Sequence, residues 1–370
     1  MDQPKKLYVE ITTACNLNCQ MCVRHVWRDV HGTMPFDVFR QLIDQLKDLP
    51  EMPTIHFGGY GEPMIHPDFL RCVALAKAAG ARVEMTTNGT LLNRIIASTL
   101  IDLDLDRLVV SIDSVSPSLY ETIRAGSNYD QVISNMRELW RLKLRRGNKH
   151  SNPQVGIAFV AMKRNVADLA RLPQLATFIG AWEIKVSNVV PHTAEMEQDI
   201  LYERSLRAPA YRASNQVPDI SLPKLDINEA TAVPLRDTFN SRSSISLLDA
   251  SLSGRNNYCR FVQQGYAVVR WDGAVSPCLS LLHDHPEYVR GRRKDVTHHN
   301  FGNIREQPFG EIWASEAYAA FRQRLRDFPF SPCTTCGGCE RFAGNYIDCT
   351  EQTFPTCGGC LWSQGFVQCP

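Results

Sequence analysis

Short apolar runs alternate with longer amphipathic ones through the first half of the chain. Runs of β type fall at 6–12 (KLYVEIT), 54–59 (TIHFGG), 82–87 (RVEMTT), 107–113 (RLVVSID), 154–162 (QVGIAFVAM) and 182–190 (WEIKVSNVV). Between them, segments at 35–49, 67–80, 91–102, 129–147 and 165–180 carry apolar residues at three- and four-residue spacing, often with Pro or Asp/Asn at their starts and sometimes Gly at their ends. Strands separated by single helices make parallel βα units. Six such units predict an α/β fold, a partial (β/α)6 TIM-type barrel over residues 1–190.

The pattern then breaks. Residues 191–257 are polar and proline-rich with no sustained period, and read as a connector. Residues 258–370 form a second, small cysteine-rich domain. It opens with a hairpin, YAVVRWDGAVSPC, turned at Asp272-Gly273. A helical stretch follows from about Phe309.

Composition narrows the function. A chain of 370 residues exceeds what one core usually supports. The net charge of +1 gives no reason to expect a nucleic acid or a membrane as partner. No apolar stretch is long enough to span a bilayer and no signal peptide is present, so a cytoplasmic location is expected. Thirteen cysteines in a long chain without an export signal favour metal ligation over disulfides.

The cysteines are grouped: Cys15, Cys19 and Cys22 near the start, Cys72 alone, and nine from Cys259 to Cys369. Structural zinc needs four ligands, and the first group offers three thiols, with His25 as a candidate fourth. An iron–sulfur cube fits the spacing better, because one loop can wrap three corners and leave one iron open. Chemically suggestive residues also end the next three strands: GGYGEP, TNGT and SIDS. In a barrel, all would open onto the face that carries active sites.

These residues resemble the radical S-adenosylmethionine (SAM) enzymes. Cys15-x3-Cys19-x2-Cys22 after the first strand matches their cluster motif, and Gly59, Tyr60, Gly61, Glu62 and Pro63 match the segment that receives the methionine ammonium. Thr87 and Asn88, with Ser111 and Asp113, stand where the family binds the carboxylate and the ribose hydroxyls, and Arg124 is a further candidate for the carboxylate. Met21 occupies the position, usually aromatic, beside the adenine; a thioether can make that contact. The resemblance implies a [4Fe-4S] cluster that binds S-adenosylmethionine, an external one-electron reductant, and a 5′-deoxyadenosyl radical that abstracts hydrogen.

The later cysteines, Cys259, Cys278, Cys333, Cys336, Cys339, Cys349, Cys357, Cys360 and Cys369, resemble the SPASM extension of these enzymes, which implies two auxiliary [4Fe-4S] clusters. The family's usual run of two, five and three intervening residues is absent, so the nine thiols are not divided between clusters at this stage. The ending CGGCLWSQGFVQCP resembles the maturases associated with tungsten-cofactor aldehyde ferredoxin oxidoreductases. That implies a tungsten oxidoreductase, or its pterin cofactor, as substrate.

Two alternatives compete. One is a radical SAM/SPASM peptide-modifying enzyme that forms a crosslink or thioether on a ribosomal precursor. The other is a non-catalytic iron–sulfur electron carrier or a zinc scaffold. Blander readings attach to single residues: Cys72, Phe159 and Trp182 as core packing, Asp113 as a cap for a helix near Pro117, and Arg124 as a surface or loop contact. The basic runs LRRGNK and RGRRKD read as solvated, the second, with His298 and His299, being a candidate contact for a phosphorylated substrate.

Overall fold

The computed structural model describes residues 3–146, 152–207, 219–223, 225–239, 244–247, 250–251, 257–336 and 338–369. The six expected strands form β1 (Lys6–Val9), β2 (Thr54–Phe57), β3 (Val83–Thr87), β4 (Arg107–Ser111), β5 (Gln154–Ala161) and β6 (Glu183–Asn188), parallel neighbours in sequence order. Helices α1 (Phe36–Leu46), α2 (Phe69–Ala78), α3 (Arg94–Asp102), α4 (Pro117–Ile123), α5 (Tyr129–Arg145) and α6 (Leu172–Ile179) lie between them.

Local chemistry sets these elements. α1 buries Val38, Phe39, Leu42, Ile43 and Leu46 along one stripe. Asn93 and Asn128 cap α3 and α5 through hydrogen bonds from Ile96 N and Gln131 N, and α6 closes on Gly180 in the left-handed region.

Strand alternation divides the sheet into two chemically different faces. Leu7, Val9 and Ile11 point to the helices and join the main core. Lys6, Tyr8 and Glu10, the alternate set, turn toward the barrel interior. There Glu84 accepts from Lys6 at 2.7 Å and lies 3.7 Å from Arg107. His56 also reaches Glu84, at 3.4 Å; burial and the nearby Lys6 charge push its pKa down to about 3, so it is neutral.

The sheet does not stop at six strands. Tyr266–Val269 pairs parallel with β1 on its outer side, and Val275–Ser276 pairs antiparallel with that strand. The turn between them is the expected one: Gly273 has φ +90°, and Asp272 accepts from Ala274 N. Residues expected in the second domain thus complete the barrel sheet.

The opposite edge, β6, is covered by the C-terminal tail. Asn188 donates to Phe366 O at 2.8 Å, Gln368 N donates to Ser187 Oγ at 3.0 Å, and the Gln368 amide donates to Val186 O. The tail thus engages one backbone carbonyl of the edge, Val186 O, and two of its side chains.

The remaining segments pack around this frame. Helices Phe309–Ala314 and Glu316–Asp327 confirm the helical stretch expected from Phe309, and Gln41 and Gln45 of α1 both donate to Ile304 O just before it. The connector contains described helices and a small three-stranded sheet (Asp219–Leu222, Ser244–Leu247, Ala250–Ser251). Its first part is anchored: Ile200, Tyr202 and Leu206 are buried against Ile123, Met162 and Leu361. The rest of the connector is described only in part, with 208–218, 224, 240–243, 248–249 and 252–256 outside the described residues.

Several single-residue expectations are settled. Cys72 and Phe159 are core residues, whereas Trp182, just before β6, is 64% exposed. In the run 144–149, residues 144–146 are exposed, and 147–149 lie outside the described residues. The run 290–295 is not a uniform solvated surface: it forms the hairpin His285–Val289/Arg292–Val296, with Lys294 buried and Arg292 against the Phe342 ring. Alternation along a hairpin, not charge, decides which side faces inward. No helix among the described residues is long and apolar enough to cross a membrane.

Candidate functional site

The loop after β1 carries Cys15, Cys19 and Cys22, all half-buried and in no disulfide. It is pinned from two sides. Asn18 N and Gln20 N donate to Ala125 O and Ile123 O, so the C-terminal end of α4 finds its carbonyl partners in this loop. On the other side Glu62 N donates to Ala14 O, and the Gly61 backbone packs so closely that a Cβ there would lie 2.1 Å from Thr12 O.

Glu62 ties three strand ends together. Its carboxylate accepts from Thr87 Oγ1 at 2.9 Å, from Asn88 N at 2.8 Å and from Met64 N at 3.2 Å, and the residue is almost fully buried. Burial raises its pKa, and these three hydrogen bonds oppose the rise. Glu62 therefore orders the segment Gly59–Pro63 against the end of β3. Both of its carboxylate oxygens take part in these contacts.

Asn88, beyond the same strand end, donates to Cys15 Sγ at 3.8 Å and to Asn16 Oδ1 at 3.0 Å. Leu17 N also points at Cys15 Sγ, at 3.5 Å. On the far side of the loop the Arg124 guanidinium lies 3.9 Å from Cys19 Sγ and 2.7 Å from the Asp113 carboxylate.

Of the surface or loop contact expected for Arg124, burial rules out the first, and its approach to Cys19 is the second. Asp113, too, differs from expectation. It is fully buried, accepts from Val160 N at 2.7 Å and pairs with Arg124, and it does not cap α4. Asp168 accepts from Val115 N and the Ser114 hydroxyl in the segment just before α4, whose cap residue Ser116 makes no side-chain cap bond. Ser111 remains half-buried on the interior face at the end of β4, and Met21 packs toward Ile123, Met162 and Leu361.

The donor set suits electron-rich sulfur ligands. Burial raises the Cys19 thiol to about 11 against the opposing Arg124 charge, and Cys22 is raised mainly by burial as well. As free thiols both would stay protonated at neutral pH; a metal centre would deprotonate them, and the nearby donors would then stabilise the thiolates. A single zinc is the poorer fit. It holds its sulfurs less than ~4 Å apart, and among the described residues the only such close grouping of metal-type ligands is Asp29, Asp284 and His298. His25, the candidate fourth ligand, is exposed and engages Cys19 O through Nε2.

The nine later cysteines fall into groups that spacing had left open. Cys259, Cys278, Cys357 and Cys360 line one cavity of about 430 Å³ between the interior end of β1 and the C-terminal tail. Burial raises Cys259, Cys278 and Cys357, and each is raised further by thiols of the same group. Cys333 is raised by burial, then by Asp348, Cys349 and Cys336, which marks a second group; Cys339 follows three residues after Cys336. Cys369 stands on the wall of the first cavity, near Lys185, Lys6 and Arg260.

The groups touch at Gly359, where a Cβ would lie 3.3 Å from Cys333 Cβ and 3.6 Å from Lys294 Nζ. Lys294 donates to Gly359 O at 2.9 Å and pairs with buried Glu287 at 3.4 Å.

A second polar network passed unnoticed in the sequence. Glu10 accepts from Tyr60 N at 3.1 Å and pairs with His283 Nε2 at 2.8 Å; His283 Nδ1 meets Asp29 at 2.8 Å. The Tyr60 hydroxyl donates to Leu279 O, one residue after Cys278. Glu10 and Tyr60 thus each link the first-strand region to the segment after Cys278. The available signal was Glu10 itself, a carboxylate placed directly after the apolar residues Leu7–Val9.

Comparison with known proteins matches residues 9–152 to the radical SAM superfamily and residues 259–340 to the SPASM iron–sulfur cluster-binding domain. The tungsten-containing aldehyde ferredoxin oxidoreductase cofactor-modifying protein of Pyrococcus furiosus is 32% identical over 99% of this chain and 97% of its own. The AdoMet-dependent heme synthase of Methanosarcina barkeri is 27% identical over 91% of this chain and 88% of its own. Among solved structures, anSMEcpe with bound AdoMet superposes with a TM-score of 0.60 at 17% identity, covering 96% of this chain and 95% of that one. SuiB of Streptococcus suis bound to S-adenosylmethionine gives 0.57 at 16% identity, covering 91% and 71%.

Proposed function

Because this chain belongs to the radical SAM superfamily and carries a SPASM iron–sulfur domain, we propose that it matures the pterin-type cofactor of a tungsten oxidoreductase. It is an enzyme whose cofactors are a [4Fe-4S] cluster, S-adenosylmethionine and auxiliary iron–sulfur clusters. When bound and reduced by an external one-electron donor, the first two supply a 5′-deoxyadenosyl radical.

In this reading the protein's work is holding and orienting. Cys15, Cys19 and Cys22 ligate the cluster and leave one iron for the methionine amine and carboxylate. Glu62 fixes the Gly59–Pro63 backbone beside it, Thr87 and Asn88 complete that wall, Ser111 faces the ribose, and Met21 lies against the adenine. Arg124, oriented by Asp113, donates to a cluster sulfur. Cys259, Cys278, Cys357 and Cys360 hold one auxiliary cluster, and Cys333, Cys336, Cys339 and Cys349 a second, which leaves Cys369 as the ninth thiol.

The observation that carries the reading is identity along nearly the whole length to a protein named for modifying a tungsten enzyme's cofactor. The test has two arms. Reduced, anaerobically reconstituted protein should hold about twelve irons per chain, as three cubes require, and should release 5′-deoxyadenosine from S-adenosylmethionine. A tungsten oxidoreductase produced without this chain should be inactive and should recover on co-production. Unchanged oxidoreductase activity in its absence would reject maturation in favour of another substrate, such as a ribosomal peptide.

A further inference from the structure

A second concavity, of about 520 Å³, lies at the other mouth of the barrel. Its wall includes Lys6, Thr54 and Arg107, the first residues of β1, β2 and β4, whereas the Cys15–Cys22 loop follows the last residue of β1. The two sites are separated by the length of the barrel.

Charge in this basin is unbalanced. Lys5, Lys6, Arg107, Lys185 and Arg260 line it, against one lining carboxylate, Glu84. Glu84 is taken by Lys6 at 2.7 Å, and the adjacent Glu183 by Arg107 at 2.5 Å. Among the described residues neither Lys185 nor Arg260 is ion-paired with a carboxylate; Arg260 has a 3.3 Å hydrogen bond to the Gln368 amide oxygen. Arg107 Nε is buried with no hydrogen-bond partner. Burial and then the charge of Arg107 push the Lys185 ammonium down, and the charge of Glu183 offsets this only in part. Thr54, Gln263 and Gln264 add neutral donors to the same wall.

Cations from β1, β4, β6 and the segment after Cys259 converge on one hollow. A monocarboxylate would engage only part of that set, whereas an anion with several oxygens and at least two charges could meet cations on more than one side. We propose that this basin is a binding site for a phosphate-class anion, either free phosphate or the phosphoryl group of a small molecule. Lys185 and Arg260 are its principal ligands. The site stands on its own cations and does not depend on the radical chemistry.

Its position gives it a second consequence. Tyr8, Arg260, Tyr266 and Cys369 line both the basin and the cavity that holds Cys259 and Cys278. A bound anion would therefore sit one side chain away from that group of thiols.

The test is calorimetric titration of the full, anaerobically reconstituted protein with inorganic phosphate at constant ionic strength. One saturable site per chain is expected. The Lys185→Gln/Arg260→Gln double variant should bind at least about tenfold more weakly, since two charge-assisted hydrogen bonds are lost, with its iron content unchanged. Should the double variant fail to load iron, each single variant is measured instead, and each should weaken binding. Arg293→Gln, on the exposed hairpin, should bind as the parent does. Absence of a saturable site, equal binding by the variants, or malonate binding as tightly as phosphate would overturn the assignment. Glucose 6-phosphate competing with inorganic phosphate would show that a phosphoryl group carried on a small molecule can enter; failure to compete would restrict the site to the free ion.

Discussion

The Arg124 guanidinium lies 2.7 Å from the Asp113 carboxylate and 3.9 Å from the Cys19 sulfur. Because both side chains are buried, the pair sets the charge next to the cluster loop from beneath. A cation that donates to a cluster sulfur favours the reduced state. Replacing Arg124 by Lys keeps the charge but loses the forked geometry. The cluster potential should fall by about 60 mV for each ~1.4 kcal/mol of stabilisation lost, as read by EPR-monitored redox titration. Arg124→Gln should also leave Asp113 uncompensated at a cost of about 3–5 kcal/mol, and Asp113→Asn in the same chain should recover part of the lost thermal stability. A potential unchanged in Arg124→Lys would remove Arg124 from the tuning of the cluster.

Gly61 is confined by the backbone of the cysteine loop, with Thr12 O at 2.1 Å from any added Cβ. Neither strand end can yield without moving Cys15 or Glu62. Gly61→Ala should weaken S-adenosylmethionine binding by about tenfold or more, which corresponds to at least ~1.4 kcal/mol of strain and lost contacts. Equilibrium binding measures this, and iron bound by the C-terminal cysteines should be retained. Parent-like affinity would mean that this loop does not form the methionine pocket.

Lys294 lies between the two C-terminal groups of thiols, and its partner Glu287 is fully buried. The Glu287 carboxyl is held down to about 2, since Lys294 and His285 outweigh the opposing effect of burial. Lys294→Met should strand that carboxylate, cost about 3–5 kcal/mol and lower the iron content by the auxiliary share. Lys294→Met/Glu287→Gln should recover much of the stability but not the parent's auxiliary redox potentials. Calorimetry and iron analysis separate the two effects; full iron and unchanged potentials in both variants would make Lys294 a spacer only.

His283 supplies a pH dependence. Burial alone would lower its pKa, but hydrogen bonds and charge from Asp29 and Glu10 more than offset this and raise it to about 9. Its unfolded value is about 6.5. The raised folded value means the stabilisation is fully present below about pH 6.5 and is lost as pH rises through about 9. The thermal midpoint of the parent should therefore decline between these limits by more than that of His283→Gln. Parallel curves would show that His283 is neutral in the folded protein.

Much of this was written in the chain. Alternating apolar runs fix six βα units, because strand and helix periodicities are local and the core selects one face of each. The spacing of Cys15, Cys19 and Cys22 fixes three ligands on one loop, since neighbours in sequence cannot be far apart in space. GYGEP and TNG were legible as strand ends for the same reason, although Glu62's work as a tie between them was not.

Tertiary structure decided what depends on distant segments meeting. Only packing brings Cys259 and Cys278 to Cys357 and Cys360, and only the closing of the sheet by Tyr266–Val269 and of its edge by the tail at Phe366–Gln368 makes a cavity for them. The roles of Arg124, Asp113 and Lys294 follow from burial, which turns each charge from an indifferent surface group into one that must find a specific partner. A sequence records which charges exist. The fold determines which of them lose their water.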